Sequence, residues 1–277
     1  MRKTVYDIEN LQQVHPIFKN KVIAYLMKKL MKWLSFDKVN QIHSKHCHLR
    51  GAEFTSAMMA DPLMDIKYTI HHKERLDSLP EGAFVTVSNH PIGSLDGIIL
   101  VDIFASRRKD FKMMVNGILA NVGAMADNFI SVLPNTDDHT IKGNPANTAG
   151  VRAALSWLKD GHPVGFFPAG AMSFLDKNKQ VKDRAWTHSA IRLIRKAKAP
   201  VYPVYFACQN SRIFYWLGKI HWKIRTLRAP EEAFNKRGKT LDIYIGSPIS
   251  PQTIQQYTDD TKLADFLYHA TYNANIQ

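Results

Sequence analysis

The residues Phe84-Val85-Thr86-Val87-Ser88-Asn89-His90-Pro91-Ile92-Gly93-Ser94-Leu95-Asp96-Gly97 pass from an apolar run to a turn and on to a helix. Phe84 to Ser88 has the β-branched, continuous apolar character of a strand covered on both faces. Pro91 and Gly93 then force a tight, non-helical loop. A helix is expected over residues 97–104. Outward from this unit the pattern repeats. Strands are predicted at Ile66–Ile70, Phe111–Val115, Phe129–Leu133, His162–Phe167, Pro200–Phe206 and Leu241–Ile245. Helices are predicted at Ile118–Ala126, Thr148–Lys159 and Ser189–Lys198, with a short helical cap after Ser250 and a polar surface loop at Asn135–Asn147. Alternation of this kind predicts an α/β fold, a mixed and mostly parallel sheet flanked by helices. In such sheets chemistry gathers in loops leaving the carboxyl ends of strands. Both the His90 loop and the Pro168-Ala169-Gly170 loop leave strands that way.

Ahead of the sheet lies an amphipathic helical region. Ile23, Leu26, Leu30 and Trp33 recur at helical spacing, widened by Ile17, Val22 and Leu34, while Lys21, Lys28 and Lys32 gather on the other side. A basic helix with Trp and Leu on its apolar face suits an anionic bilayer interface, with Lys21, Lys28, Lys32 and Trp33 as its contacts. Packing on its own domain is the alternative, and one helix can do both. Further helices are expected near Phe36–Lys45 and Glu53–Met64. The chain therefore divides into a membrane-associating helical region, 1–64, and an α/β domain, 65–277, with no linker or repeat inside the latter. His43, His46 and His48 cluster between the helices, but no Cys, Asp or Glu completes a metal-ligand spacing, so no metal is expected.

The chain has 277 residues, 45% of them hydrophobic, and a formal charge of +13. That size supports a substantial core. The charge favours an anionic partner: nucleic acid, a membrane face or an acidic carrier protein; simple solubility is the plain alternative. The positive residues are scattered and no nucleic-acid motif is present, which argues against nucleic acid. Cys47 and Cys208 form no CxxC pair, so a reduced, cytosolic setting is expected. No signal peptide is recognised at the start, and no apolar run is long enough to span a bilayer.

A carboxylate on one imidazole nitrogen fixes the tautomer and leaves the other nitrogen free as a base. His90 and Asp96 are placed for this by their strand, turn and helix start, and an imidazole suits proton abstraction from an alcohol near neutral pH.

The stretch Asn89 to Gly97 resembles the first signature of the glycerolipid acyltransferase family, which includes the 1-acylglycerol-3-phosphate acyltransferases. Five residues separate His90 from Asp96, where the usual signature has four. This longer form is similar to a bacterial, hemolysin-like branch that includes ornithine-lipid and other aminolipid O-acyltransferases. Phe166-Phe167-Pro168-Ala169-Gly170-Ala171-Met172-Ser173 resembles the family's Phe-Pro-Glu-Gly-Thr-Arg-Ser block, and Val201 to Phe206 its Val-Pro-Val block, with Gln209-Asn210-Ser211 fitting the same branch. Ile130 to Pro134 stands where another block belongs.

The resemblance implies an O-acyltransferase in membrane lipid synthesis, with His90 and Asp96 as its catalytic pair. Asn89, Gly93, Pro168, Ala169, Gly170 and Arg184 are the expected substrate-binding residues, the amides around Pro168-Ala169-Gly170 steadying the oxyanion. No bound cofactor or metal is implied; acyl carrier protein or acyl-CoA is the co-substrate. The family's Glu is Ala169 here and its phosphate-gripping Arg is Met172, and methionine cannot bind phosphate as a guanidinium fork does. A lyso-aminolipid of the N-acyl amino acid type is therefore the expected acceptor, with Arg184 meeting a carboxylate. A lysophosphatidic acid acyltransferase, or a lipid-binding protein without turnover, are the other readings. The expected location is peripheral, on the cytoplasmic face of the inner membrane.

Overall fold

The computed structural model describes residues 4–5, 19–116, 119, 122–132 and 145–276. Helices α1 (Lys21–Trp33), α2 (Phe36–His46) and α3 (Gly51–Ala60) precede β1 (Lys67–His71), β2 (Val85–Ser88) and α4 (Ser94–Ala105). Then come β3 (Lys112–Asn116), β4 (Phe129–Val132), α5 (Pro145–Lys159), β5 (Val164–Phe166) and the short pair β6 (Phe174–Leu175) and β7 (Val181–Lys182). Helix α6 (His188–Ala197) leads to β8 (Val201–Phe206). A three-helix cap follows, α7 (Arg212–Ile220), α8 (Trp222–Leu227) and α9 (Ala229–Phe234), before β9 (Thr240–Ile245), α10 (Pro251–Gln256) and α11 (Asp260–Tyr272).

The main sheet has seven strands in the order β1-β9-β8-β2-β5-β3-β4. All neighbours are parallel except β8 and β9. The mixed, mostly parallel sheet expected from the sequence is the one found. β2 lies between β5 and β8, with Val85 opposite both Val164 and Val201. Side chains alternate through this strand: Phe84 joins the core on one side of the sheet, with Leu95, Ile99 and Phe206, while Val85 and Val87 join the other, with Val164, Ile191 and Leu263. Because β5 and β8 flank β2, the loops after all three open at one edge of the sheet.

Residues of α2 and α3 share the first of these cores through Ile42, Phe54 and Met58. Thr55, Ser56 and Tyr68 all donate to Asp102 of α4, which ties the helices to the sheet. His43 is buried edge-on against Phe54, and His46 is bonded to Asp61 at 2.9 Å. α1 is different. Asn20 caps it through the amides of Val22 and Ile23, yet none of its residues is buried. Val22, Tyr25, Leu26, Leu30 and Trp33 are all exposed. Among the described residues no helix is long and apolar enough to cross a membrane.

Three expectations shift. The helix after the His90 loop begins at Ser94, because Gly93 N–H donates to Asp96 and the carboxylate closes the first turn. Residues 123–128 form a 3-10 turn before β4, whereas residues 117, 118, 120 and 121 lie outside the described residues. Ile17 and most of the Asn135–Asn147 loop also lie outside them, and Pro145 opens α5.

Candidate active site

His90 Nδ1 and Asp96 Oδ2 are 2.9 Å apart. The same carboxylate oxygen accepts the backbone N–H of Ile92 at 2.9 Å and of Gly93 at 3.0 Å. Asp96 is wholly buried in the first turn of α4, where the helix dipole favours negative charge. A carboxylate receiving two amides cannot give up its place readily, so Nδ1 must carry the proton and Nε2 is left as the base. The His90 side chain is 16% exposed, and its ring stacks on Phe167 with centroids 3.8 Å apart.

The backbone of His90 is held as firmly as its ring. Its N–H donates to Asp183 Oδ1 at 3.3 Å, and its carbonyl accepts Ser173 N–H at 2.8 Å. Ser173 Oγ donates to the same Asp183 oxygen. Burial pushes the Asp183 carboxyl up to about 6, against the lowering by Ser173 and His90. Asp183 thus joins the two motif loops.

Gly93 permits the turn. Its φ of +110° is open to glycine, and a Cβ there would lie 2.7 Å from Met172 Sδ. Met172, at the position where the resemblance places an arginine, therefore packs directly over the His90 loop.

His90 faces a cavity of about 900 Å³, with Asp96 buried behind it. Gly93, Ser94, Gly170 and Arg184 line it beside His90, and Phe54, Met58, Ile98, Val115 and Met125 carry its apolar wall inward under α2 and α3. Such a space takes an alkyl chain with its reactive end at the imidazole.

Other expected site residues lie elsewhere. Asn89 does not reach the cavity: its Nδ2 donates to Phe206 O at 3.0 Å and its Oδ1 accepts Phe206 N–H at 2.8 Å. It clamps the loop to β8. Ala169 is fully buried in the second core. The expected oxyanion role fails for two residues of that turn. Pro168 has no N–H, and Gly170 spends its own on Phe167 O at 2.9 Å. Asn210 bridges loop and cap, donating to Ile92 O at 3.0 Å while accepting from Lys236 Nζ at 3.2 Å.

Asp183 and the cap residue Arg225 have no counterpart among the residues expected from the sequence. The guanidinium of Arg225 reaches back to the motif block, giving hydrogen bonds to Ser173 O at 3.1 Å and Met172 O at 3.2 Å. Desolvation, then the nearby charge of Arg184, pulls its affinity for the proton below the usual guanidinium range.

The family model described as acyltransferase matches residues 10–275. The chain belongs to the acyltransferase family. An acyltransferase takes an acyl donor and an acceptor, and this chain is an enzyme of that class. Two curated relatives carry the name lyso-glycine lipid O-acyltransferase. The one from Bacteroides thetaiotaomicron is 27% identical, covering 91% of this chain and 89% of its own. That from Phocaeicola vulgatus is 26% identical, covering 96% of this chain and 94% of its own. Among solved structures, the 1-acyl-sn-glycerophosphate acyltransferase PlsC of Thermotoga maritima aligns over 90% of this chain and 92% of its own, with 12% identity and a TM-score of 0.48.

Proposed function

We propose that this acyltransferase moves a fatty acyl group from a carrier-protein or CoA thioester to the hydroxyl of a lyso-aminolipid, an N-acylated amino acid bearing a 3-hydroxy fatty chain. The observation that carries the reading is the 2.9 Å contact of His90 Nδ1 with Asp96 at the head of an apolar cavity. His90 Nε2 takes the hydroxyl proton as the oxygen attacks the thioester carbonyl carbon. The tetrahedral adduct collapses with loss of the thiolate, which takes the proton back from the imidazolium, so an ester and a free thiol result. Asp96 stabilises the charged ring in between. Residues 166–173 carry neither the acid nor the arginine of the phosphate-binding relatives, and the names of the two curated relatives point to the same acceptor class. No cofactor or metal enters these steps.

The enzyme works from the membrane surface, on the cytoplasmic face of the inner membrane. Exposed apolar residues of α1 stand beside Lys21, Lys28 and Lys32, as an anionic interface requires. Ile213, Trp216 and Ile220 of α7 and Ile224 and Leu227 of α8 form a second exposed edge. The two edges approach where the Arg228 guanidinium lies 5.6 Å over the Trp33 ring. Leu227 also lines the cavity, so the greasy surface runs to its mouth.

The test is transfer from an acyl carrier thioester and from acyl-CoA to a panel of lyso-lipids. Transfer to lyso-aminolipid that disappears in His90→Ala and Asp96→Asn supports the reading. Transfer to lysophosphatidic acid with none to the aminolipids rejects the acceptor, and binding without turnover rejects the chemistry.

A further inference from the structure

Two arginines of the cap lie one turn apart, both more than nine-tenths buried, and they differ in their partners. Arg228 is answered by Glu232, with Nε 3.1 Å from the carboxylate. Arg225 is 7% exposed and pairs with no carboxylate among the described residues. Its two bonds go to neutral carbonyls, those of Met172 and Ser173, and its Nε has no partner. A guanidinium carries five N–H donors, and here the two bonds to carbonyls and the Phe214 ring 5.3 Å beneath the fork leave its charge without an anion. Burying such a charge without a counter-ion is unfavourable, and nearby Arg184 makes it more so. The fold nevertheless makes room for it. Gly218 lies so close that a Cβ there would stand 2.7 Å from Arg225 Cδ.

The position is specific. Arg225 and Arg184 both line the cavity that contains His90. Ser173, whose carbonyl holds Arg225, gives its N–H to His90 O at 2.8 Å. The guanidinium also lies on the carbonyl of Met172, the position where the resemblance carries the family's arginine.

We propose that Arg225, with Arg184 at the rim, is the receptor for the carboxylate of the acceptor's amino-acid headgroup and so sets which lyso-lipid is acylated. This rests on the acceptor reading above. A charge this near the His90 loop meets an anion only a few bonds from the attacking hydroxyl. The phosphates of a thioester donor hang at the far end of the pantetheine arm.

The probe is N-palmitoylglycine, which lacks the reactive hydroxyl, set against its neutral methyl ester, with dissociation constants for wild type, Arg225→Gln, Arg225→Lys and Arg184→Gln. Arg225→Gln should weaken the acid about ten- to a hundredfold and leave the ester unchanged. Arg225→Lys keeps charge but not the fork and should fall between. Equal weakening of acid and ester, or no weakening of either, overturns the proposal. Should Arg225→Gln fail to fold, a selective loss of the acid in Arg225→Lys and Arg184→Gln supports the proposal, and its absence overturns it. In turnover, the KM for the lyso-lipid should rise in Arg225→Gln with the donor KM unchanged; a rise in the donor KM alone assigns the anion to the donor and refutes it. Wild type that binds acid and ester alike, yet acylates lysophosphatidic acid, defeats the acceptor reading itself. An acid preference that survives Arg225→Gln defeats only the role of the arginine.

Discussion

The His90 loop and the α7–α9 cap meet at one cavity, but they are built in opposite ways. Around His90 the hydrogen bonds run to the scaffold: ring to Asp96, amide to Asp183, carbonyl to Ser173, and neighbouring Asn89 to β8. The cap has short helices, a solvent-facing apolar edge and a buried cation, Arg225, without a carboxylate among the described residues. Fixed geometry lowers a barrier only where bonds are made and broken. On the proposed reading, the loop carries the reaction, and the cap carries the choice of lipid and the seat on the membrane.

The hardest blow should fall on the loop. His90→Ala is expected to lower kcat about 10²- to 10⁴-fold with little change in thermal stability, measured by acyl transfer beside a melting curve. Asp96→Asn should match it in rate and also destabilise, because a buried acceptor of two amides is altered; unchanged turnover in either variant breaks the contrast. Next comes Gly93→Ala. Strain at φ +110° and the clash with Met172 should cost about 1–3 kcal/mol and reduce kcat rather than raise the lipid KM.

A smaller effect appears against pH. Asp183 titrates at about 6 in the folded chain and near its ordinary value of 3.8 when unfolded. Between those values the native state holds a proton that the unfolded state has lost. Asp183 therefore destabilises the fold increasingly as pH rises through this window, by about 1–3 kcal/mol in all. Asp183→Asn should remove that slope in denaturant unfolding from pH 4 to 7, and an unaltered slope refutes it. The mildest change belongs to the cap surface. Trp216→Ser with Ile220→Ser should weaken binding to anionic vesicles several-fold while transfer to a short-chain, dispersed acceptor is kept. Equal loss on both substrates would move the cap into the reaction.

The sequence was informative where burial is two-sided or a motif is contiguous. β2, β5 and β8 stand out as apolar runs because interior strands are covered on both faces, while β1, at the sheet's edge, shows as an alternating, half-buried pattern. The His90–Asp96 pair is legible because strand, turn and helix follow without interruption. The cap left no such mark. Its helices are 9, 6 and 6 residues long, too short for a sustained period, and their apolar side chains split between core and solvent. Arg225 lies some fifty positions from the loop it touches, and no local pattern announces that meeting. Asn89 sits in the motif but serves the scaffold, a distinction that appears only when β8 is beside it. Pro168 was different: its missing N–H is written in the residue type, so its part in the oxyanion role could have been set aside without coordinates.

The six residues of α8 have two sides. Ile224 and Leu227 are exposed on the outer side, Leu227 at the cavity's mouth, while Trp222, Arg225 and Thr226 reach the cavity. A helix this short cannot turn one side without turning the other. If the enzyme sits on the membrane as proposed, the depth to which the outer pair sinks among acyl chains would tilt the inner guanidinium, coupling lateral pressure in the leaflet to the proposed grip on a headgroup.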